Sequence, residues 1–271
     1  YYQATLFKKN ILWDTTSITP GTNFMKKLDM LIYNHFQNKY KNLNVIISCS
    51  DLKGEGEHKI FNYLRNNKNS DYNTIIYGMD ADLIMLCLNH LNLCKNIYLY
   101  RETPYFIKSL NNELDPKENY LIHINILANE IYKTISNNTN INNENFYHKI
   151  QDYIFICFFL GNDFMPHFPS LNIRLTGFTI LLELYKTLFN DNNYISYNKQ
   201  INYKNLKLYI KKLAENEEIF IKEVYSIREK ISKKFYPENN DEEIERKFIE
   251  TPSKERNIEK FINKNEKEWE F

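Results

Sequence analysis

Thr74-Ile75-Ile76-Tyr77-Gly78-Met79-Asp80-Ala81-Asp82-Leu83-Ile84-Met85-Leu86-Cys87-Leu88 is the stretch on which the fold turns. Thr74 to Tyr77 is a short apolar run that reads as a buried β-strand, and Leu83 to Leu88 begins a helix. Asp80 and Asp82 stand at the junction. Upstream the same order recurs. Val45-Ile46-Ile47-Ser48 reads as a strand, Gly54-Glu55-Gly56-Glu57-His58 as an acidic loop, and Ile60, Phe61 and Leu64 mark a helix. Downstream, Ile97-Tyr98-Leu99-Tyr100 reads as a third strand. Strand, helix, strand, helix, strand at short intervals predicts an α/β fold with a parallel sheet. Ligands of such sheets bind beyond the carboxyl ends of the strands. Both acidic clusters fall at those ends.

Four carboxylates in one place repel. Two unit charges about 4 Å apart cost roughly 4 kcal/mol at an effective dielectric near 20. The pattern therefore predicts divalent cations, and with them metal-assisted cleavage of a phosphodiester. Gly54 and Gly56 allow the tight turn that brings Glu55 and Glu57 to one point. The plain alternative is a solvated acidic loop at a helix N-terminus, where Glu is favoured. Asp80 and Asp82 are two residues apart, so both point to one side if the strand geometry persists. Their plain alternative is an N-cap plus a surface Asp. It is the meeting of the two pairs on one sheet that favours the metal reading. Asp163 is a fifth candidate, because it follows an apolar run and precedes Phe164-Met165-Pro166, where a buried helix stops. It is either a cap or a metal ligand. His58 and His167 read as ordinary hydrogen-bonded histidines, and Lys53, Lys59 and Arg65 as surface cations near the acidic loop. There is no Gly-rich phosphate loop, no nucleophile elbow and no Cys–His pairing.

The 271 residues suffice for one large domain or two small ones. With 35 basic and 34 acidic residues the formal charge is +1, so any nucleic-acid surface must be local. The 21 Tyr, 18 Phe and 2 Trp could offer stacking faces for bases, but most read as packing residues. Cys49, Cys87, Cys94 and Cys157 form no CxxC pair, and Cys49, Cys87 and Cys157 lie in apolar runs as small core residues. That usage fits a reducing, intracellular compartment, cytoplasm or nucleus. The most apolar run, Tyr153 to Leu160, is far shorter than the roughly 18 residues that span a bilayer, so no membrane partner is expected. The sequence opens on Tyr1 rather than Met, which suggests a piece of a longer protein.

Thr19-Pro20-Gly21-Thr22 is a turn that can cap a helix, and Phe24, Leu28, Leu31, Ile32 and Phe36 follow on one face, where core packing is expected. Residues 1–135 read as the α/β core. Residues 136–148 read as a low-complexity loop, disordered over its Asn-rich run 137–145. Residues 149–200 read as a helical continuation, with helices over Ile150–Leu160 and Ile180–Leu188, and 201–271 as a charged helical region. In that last part Phe220, Val224, Ile227, Ile231 and Phe235 share a face expected to pack on the body of the protein.

Four blocks, in order, resemble the XRN family of 5′→3′ exoribonucleases, which share a core with PIN and flap endonucleases. They are Ile18-Thr19-Pro20-Gly21-Thr22-Asn23-Phe24-Met25, Gly54-Glu55-Gly56-Glu57-His58-Lys59-Ile60, Gly78-Met79-Asp80-Ala81-Asp82-Leu83-Ile84-Met85-Leu86, and Gly161-Asn162-Asp163-Phe164-Met165-Pro166-His167 with Pro169-Ser170-Leu171 and Ile173-Arg174. The resemblance covers residues from about 13 to 186. It implies a nuclease that uses two Mg²⁺ or Mn²⁺ ions and degrades single-stranded RNA from a 5′-monophosphate end to mononucleotides. Glu55, Glu57, Asp80, Asp82 and Asp163 match the family's metal-site acids, and Asn162 fits as a hydrogen-bonding residue beside them. The family pattern places two further aspartates and a basic 5′-phosphate patch upstream of where this sequence opens. The chain is accordingly expected to be a fragment, half of a split gene, or a relative inactive alone. A flap- or PIN-type endonuclease and a non-catalytic RNA- or protein-binding remnant are the alternative readings.

Overall fold

The structure is a computed structural model that describes residues 14–235 apart from 38, 68, 105–106, 137–142, 174, 190–192 and 198–199. The chain falls into two compact units, Tyr1–Leu127 and Ala128–Phe271.

In the first unit the Thr-Pro-Gly-Thr turn caps a helix as predicted. Thr22 has extended backbone and its hydroxyl accepts from the Met25 N–H at 3.3 Å, the bond an N-cap supplies. Helix α1 (Asn23–Phe36) follows. Its apolar face does not pack as expected: no residue of α1 is buried, Leu31 is 66% exposed, and Phe24, Leu28 and Phe36 are only half-covered. Periodicity identifies which face is apolar, but not what covers it.

The strand expected at Val45–Ser48 is also corrected. These residues form no strand and have no ladder partner among the described residues, and Ile46 is 59% exposed. β-branched composition favours a strand only where a neighbour completes it. The acidic loop leads into α2 (Gly56–Asn66), which begins a turn before its apolar residues and buries Phe61 completely.

The strand at the quoted stretch forms as β1 (Asn69–Tyr77) and runs parallel to β2 (Cys94–Tyr100), with Thr74, Ile75, Ile76 and Tyr77 facing Ile97, Tyr98, Leu99 and Tyr100. Helix α3 (Asp82–Asn89) makes the crossover and packs on β2, burying Leu83, Cys87 and Leu88. The third strand of the sheet is antiparallel: β3 (Leu121–His123) pairs with β2 in the order β1-β2-β3. Ile76, Ile97 and Leu99 lie on the buried face, while Ile75 and Tyr77 on the other face are 63% and 57% exposed. A one-turn helix α4 (Ile107–Leu110) precedes β3, and α5 (Ile124–Ile135) follows it directly. The Asn125 side chain accepts from the Ile97 N–H at 3.0 Å and ties that start to the sheet.

The second unit is helical. Helix α6 (Asn143–Cys157) leads into a 3-10 turn at Phe158–Leu160. This shortens the expected 136–148 loop, because the chain is already helical from Asn143; residues 137–142 lie outside the described ones. Asn-rich composition lowers helix propensity by only tenths of a kcal/mol per residue, which tertiary packing overrides. Helix α7 (Gly177–Leu188), a hairpin of β4 (Ser196–Tyr197) and β5 (Gln200–Ile201), α8 (Tyr203–Ala214) and α9 (Glu217–Phe235) complete the unit. Tyr209 of α8 is buried and donates to the Leu181 carbonyl of α7 at 2.9 Å. Val224 of α9 is buried, with Phe220 and Ile227 half-buried, as the packed face requires; the side chains of Ile231 and Phe235 lie outside the described residues.

One buried carboxylate organises this unit. Asp152 of α6 is 0% exposed and accepts four hydrogen bonds. They come from the Tyr185 hydroxyl (2.6 Å), the Ile195 N–H (2.7 Å), and the Ser196 N–H (2.7 Å) and hydroxyl (2.6 Å). Burial pushes its carboxyl above the ordinary carboxylate range, and the four donors pull it back. They join α6 to α7 and to the hairpin. Lys149, one turn earlier, is equally buried and donates to the Phe189 carbonyl at 3.3 Å, with its ammonium 4.8 Å from the Tyr185 ring centroid.

Candidate metal centre

Asp29 of α1 accepts from the Ser50 hydroxyl at 2.5 Å and from the Ser50 N–H at 3.2 Å, fixing the start of the acidic loop. Lys59 of α2 donates to the Cys49 carbonyl at 2.8 Å, fixing it from the other side. The loop then turns at Gly54, whose φ of +96° suits glycine. Glu55 is the N-cap of α2 by backbone geometry, but its side chain makes no capping bond. It lies 3.7 Å from His58, with both side chains largely exposed. Glu57 stands in the first turn.

The second pair is placed by the end of β1. The Gly78 N–H donates to the Tyr100 carbonyl at 3.2 Å, so the ladder extends one residue past the strand. A Cβ at Gly78 would lie 2.2 Å from Leu83 Cδ1, so any side chain there requires the buried Leu83 side chain to shift. Arg101, just past β2, donates to the Met79 carbonyl at 3.0 Å and braces the turn that carries Asp80. The N-cap of α3 is Ala81, without a side-chain capping bond, so Asp80 is not the N-cap, and Asp82 stands in the first turn with its carboxyl bonded to the Leu83 backbone.

Glu57, Asp80 and Asp82 converge, each offering a carboxylate oxygen within 4.8 Å of the others. The consequence of this crowding is electrostatic. The Glu57 carboxyl is pushed above its ordinary range by partial burial first, then by the charges of Asp82 and Asp80. Asp82 is pushed up by partial burial and by Asp80. Glu57 and Asp82 share a hydrogen bond that raises the one and lowers the other. The N-termini of α2 and α3 both open onto the cluster and supply partial positive charge. That relieves only part of the repulsion. Three carboxylate oxygen donors suit a hard divalent cation by donor type.

Glu55 stays at the edge of the group: its charge is felt by Glu57, but it is not one of the three converging acids. Asp163 belongs to the second unit, where it is exposed on the turn after the 3-10 segment. Gly161 enters that turn at φ +83°, and a Cβ there would meet the His167 nitrogen at 2.7 Å. The Asn162 side chain accepts from the N–H groups of Phe164 (2.9 Å) and Met165 (2.7 Å), an Asx turn that presents Asp163. Of the nearby cations, Lys59 is engaged by Cys49, and Arg65 meets the His90 ring nitrogen at 2.8 Å. His90 lies against Phe61, and burial lowers its pKa. His58 contacts Glu55, and His167 is exposed. Arg101 went unread in the sequence, because it adjoins the acids only through the pairing of β1 with β2. Of the cysteines expected in the core, Cys87 is buried, whereas Cys49 and Cys157 are only partly so; all four are free.

A βαβ crossover with three carboxylates converging at a strand's carboxyl end defines an α/β protein with a candidate cation site. Within that class the sequence comparisons are specific. The family model described as XRN 5'-3' exonuclease N-terminus matches residues 2–103, and the Xrn1 helical domain matches residues 143–270. The 5'-3' exoribonuclease 1 of Saccharomyces cerevisiae is 34% identical over 222 residues, covering 76% of this chain and 14% of the relative. The 5'-3' exoribonuclease 2 of Arabidopsis thaliana is 30% identical over 265 residues, covering 83% of this chain and 26% of the relative. The chain belongs to the XRN 5'-3' exonuclease family. It spans about a seventh to a quarter of the length of these relatives.

Proposed function

We propose that this chain carries the metal-binding part of a 5′→3′ exoribonuclease that degrades 5′-monophosphorylated single-stranded RNA to mononucleotides. The observation that supports this reading is the crowding of Glu57, Asp80 and Asp82 at the carboxyl end of β1, in a member of this family. Glu57, Asp80 and Asp82 would hold the cations, two Mg²⁺ or Mn²⁺ ions in this reading, with Glu55 at the rim; Asp163 is kept as a candidate acid on its match to the family pattern alone. The chemistry such ions supply when bound is activation of the attacking water and stabilisation of the leaving 3′ oxygen. The carboxylates are ligands and not nucleophiles. Arg101 and Gly78 keep the Asp80 turn in place. Asn162 keeps the Asp163 turn in place. The free cysteines support an intracellular place of action, in cytoplasm or nucleus.

The test is digestion of a 5′-labelled RNA, bearing either a 5′-monophosphate or a 5′-hydroxyl, in Mg²⁺ or Mn²⁺ with an EDTA control. Metal-dependent release of labelled mononucleotide from the monophosphate form alone is the expected result. Cleavage of a circular RNA, which has no 5′ end, would overturn it in favour of an endonuclease. No cleavage together with no heat of Mn²⁺ binding would favour a non-catalytic remnant.

A further inference from the structure

Helix α8 (Tyr203–Ala214) stands apart in charge from the rest of the molecule. The whole sequence is balanced, with 35 basic and 34 acidic residues, yet residues 203–214 hold Lys204, Lys207, Lys211 and Lys212 and no Asp or Glu. The helix is oriented unambiguously by Tyr209, which is buried and donates to Leu181. Lys204, Lys207 and Lys211 are spaced by three and four residues, so they line one face, and that face is the exposed one. They extend over about 10 Å of helix. Tyr203 is 74% exposed at the N-terminal end of the stripe. Tyr203, Leu206, Lys207, Ile210 and Lys211 line a shallow groove along the helix.

Lysines on a solvated helix face are commonly offset by acids one turn away. Helix α9 does so through Lys222 and Glu218 at 2.5 Å, and Lys212 does so through Glu215 at 2.8 Å. Among the described residues, no carboxylate pairs with Lys204, Lys207 or Lys211. Like charges at these spacings destabilise a helix unless a polyanion neutralises them. An exposed aromatic ring beside the stripe adds a stacking face for a base.

We infer that the Lys204–Lys207–Lys211 face of α8, with Tyr203 at its end, is a contact surface for the phosphate backbone of single-stranded RNA. The inference rests on the reading of the chain as acting on RNA, and assigns to it a binding surface separate from the acids. Each lysine that neutralises a phosphate releases counterions, which makes binding salt-dependent in a countable way.

The experiment is fluorescence anisotropy of a labelled oligouridylate with the whole 271-residue chain in EDTA, over a series of KCl concentrations. For single strands each phosphate contact contributes about −0.7 to the log–log salt slope. The Lys204→Gln, Lys207→Gln, Lys211→Gln triple variant should therefore flatten the slope by about 2 and bind about a hundredfold more weakly near 0.1 M salt. The triple Lys→Arg variant should keep both slope and affinity. Tyr203→Ala should weaken binding at least about fivefold with the slope unchanged. Gln and Arg are good helix formers, so circular dichroism should be unaltered. Unchanged slope and affinity in the Gln variant would overturn the inference, as would a wild-type chain that binds anionic vesicles but not RNA. The same preparations assayed for cleavage in Mn²⁺ separate the two readings. Cleavage with an indifferent α8 removes this surface alone, whereas salt-dependent binding with neither cleavage nor heat of Mn²⁺ binding removes the nuclease reading alone.

Discussion

The two units treat aspartate in opposite ways. In the second unit Asp152 is wholly buried, and four donors occupy its two oxygens. In the first unit Glu57, Asp80 and Asp82 stand close to one another, and their mutual charges push the Glu57 and Asp82 carboxyls up. A buried carboxylate that is fully hydrogen-bonded has its interactions saturated and serves as a joint between elements. Carboxylates held together in spite of their repulsion have unsatisfied capacity, which is where function concentrates. The contrast lies in partners rather than in residue type.

That contrast can be broken most decisively at Asp80. Asp80→Asn removes a charge from the cluster without changing its shape. It should lower any metal-dependent cleavage by at least about a thousandfold, roughly 4 kcal/mol, with the thermal transition preserved. Full activity in that variant would remove Asp80 from the site. Asp152→Ala should do the reverse. Orphaning four donors should cost about 3 kcal/mol or more of stability, read in urea unfolding, and loosen the β4–β5 hairpin. Metal binding by whatever remains folded should be little changed. A loss below about 1 kcal/mol would show that Asp152 is not the joint described here.

Arg101 offers a graded test. It touches a backbone carbonyl of the acid-bearing turn and none of the acids, so Arg101→Ala should weaken Mn²⁺ binding by about tenfold in calorimetry. Unaltered Mn²⁺ affinity would confine Arg101 to a local role.

The smallest effect concerns pH. The Glu57 and Asp82 carboxyls lie above their ordinary range in the fold, so the folded state holds protons that the unfolded state releases. This contribution is fully present below the ordinary carboxylate pKa, and it is lost as pH rises through the raised folded values. At neutral pH the metal-free cluster is therefore a net cost. Asp82→Asn should raise metal-free stability at pH 7 by less than about 1 kcal/mol, since the group is exposed and screened. The gain should fade as pH falls through the carboxylate range, and Mn²⁺ affinity of the native chain should rise with pH over the same window. A destabilised Asp82→Asn protein would mean that the crowding is not repulsive.

Much of the first unit was legible because its signals are local. The Thr22 cap, the Thr74–Tyr77 strand and the Asp82 helix start each depend on a handful of neighbouring residues. Where the reading failed, the missing information was non-local. Val45–Ser48 has strand composition without a ladder partner among the described residues, and the apolar face of α1 is only half-covered. Asn162 read as a hydrogen-bonding residue beside the acids; its side chain accepts from the N–H groups of Phe164 and Met165 in the turn that carries Asp163, partners the sequence did not name.

The sequence by itself determined which residue types stand at which ends of which elements: glutamates around Gly56, aspartates after Tyr77, an aspartate after Asn162. Those placements follow from backbone propensity and period, which act over one or two turns. The tertiary structure alone decided that Glu57 meets Asp80 and Asp82, that Arg101 braces Met79, and that Asp152 finds its backbone donors 43 and 44 residues away. Contacts of that kind form only when the loops between them close, and a loop's closing entropy depends weakly on its length and hardly at all on its composition. Local chemistry therefore names the charges, and the packing of distant segments fixes which of them remain unpaired.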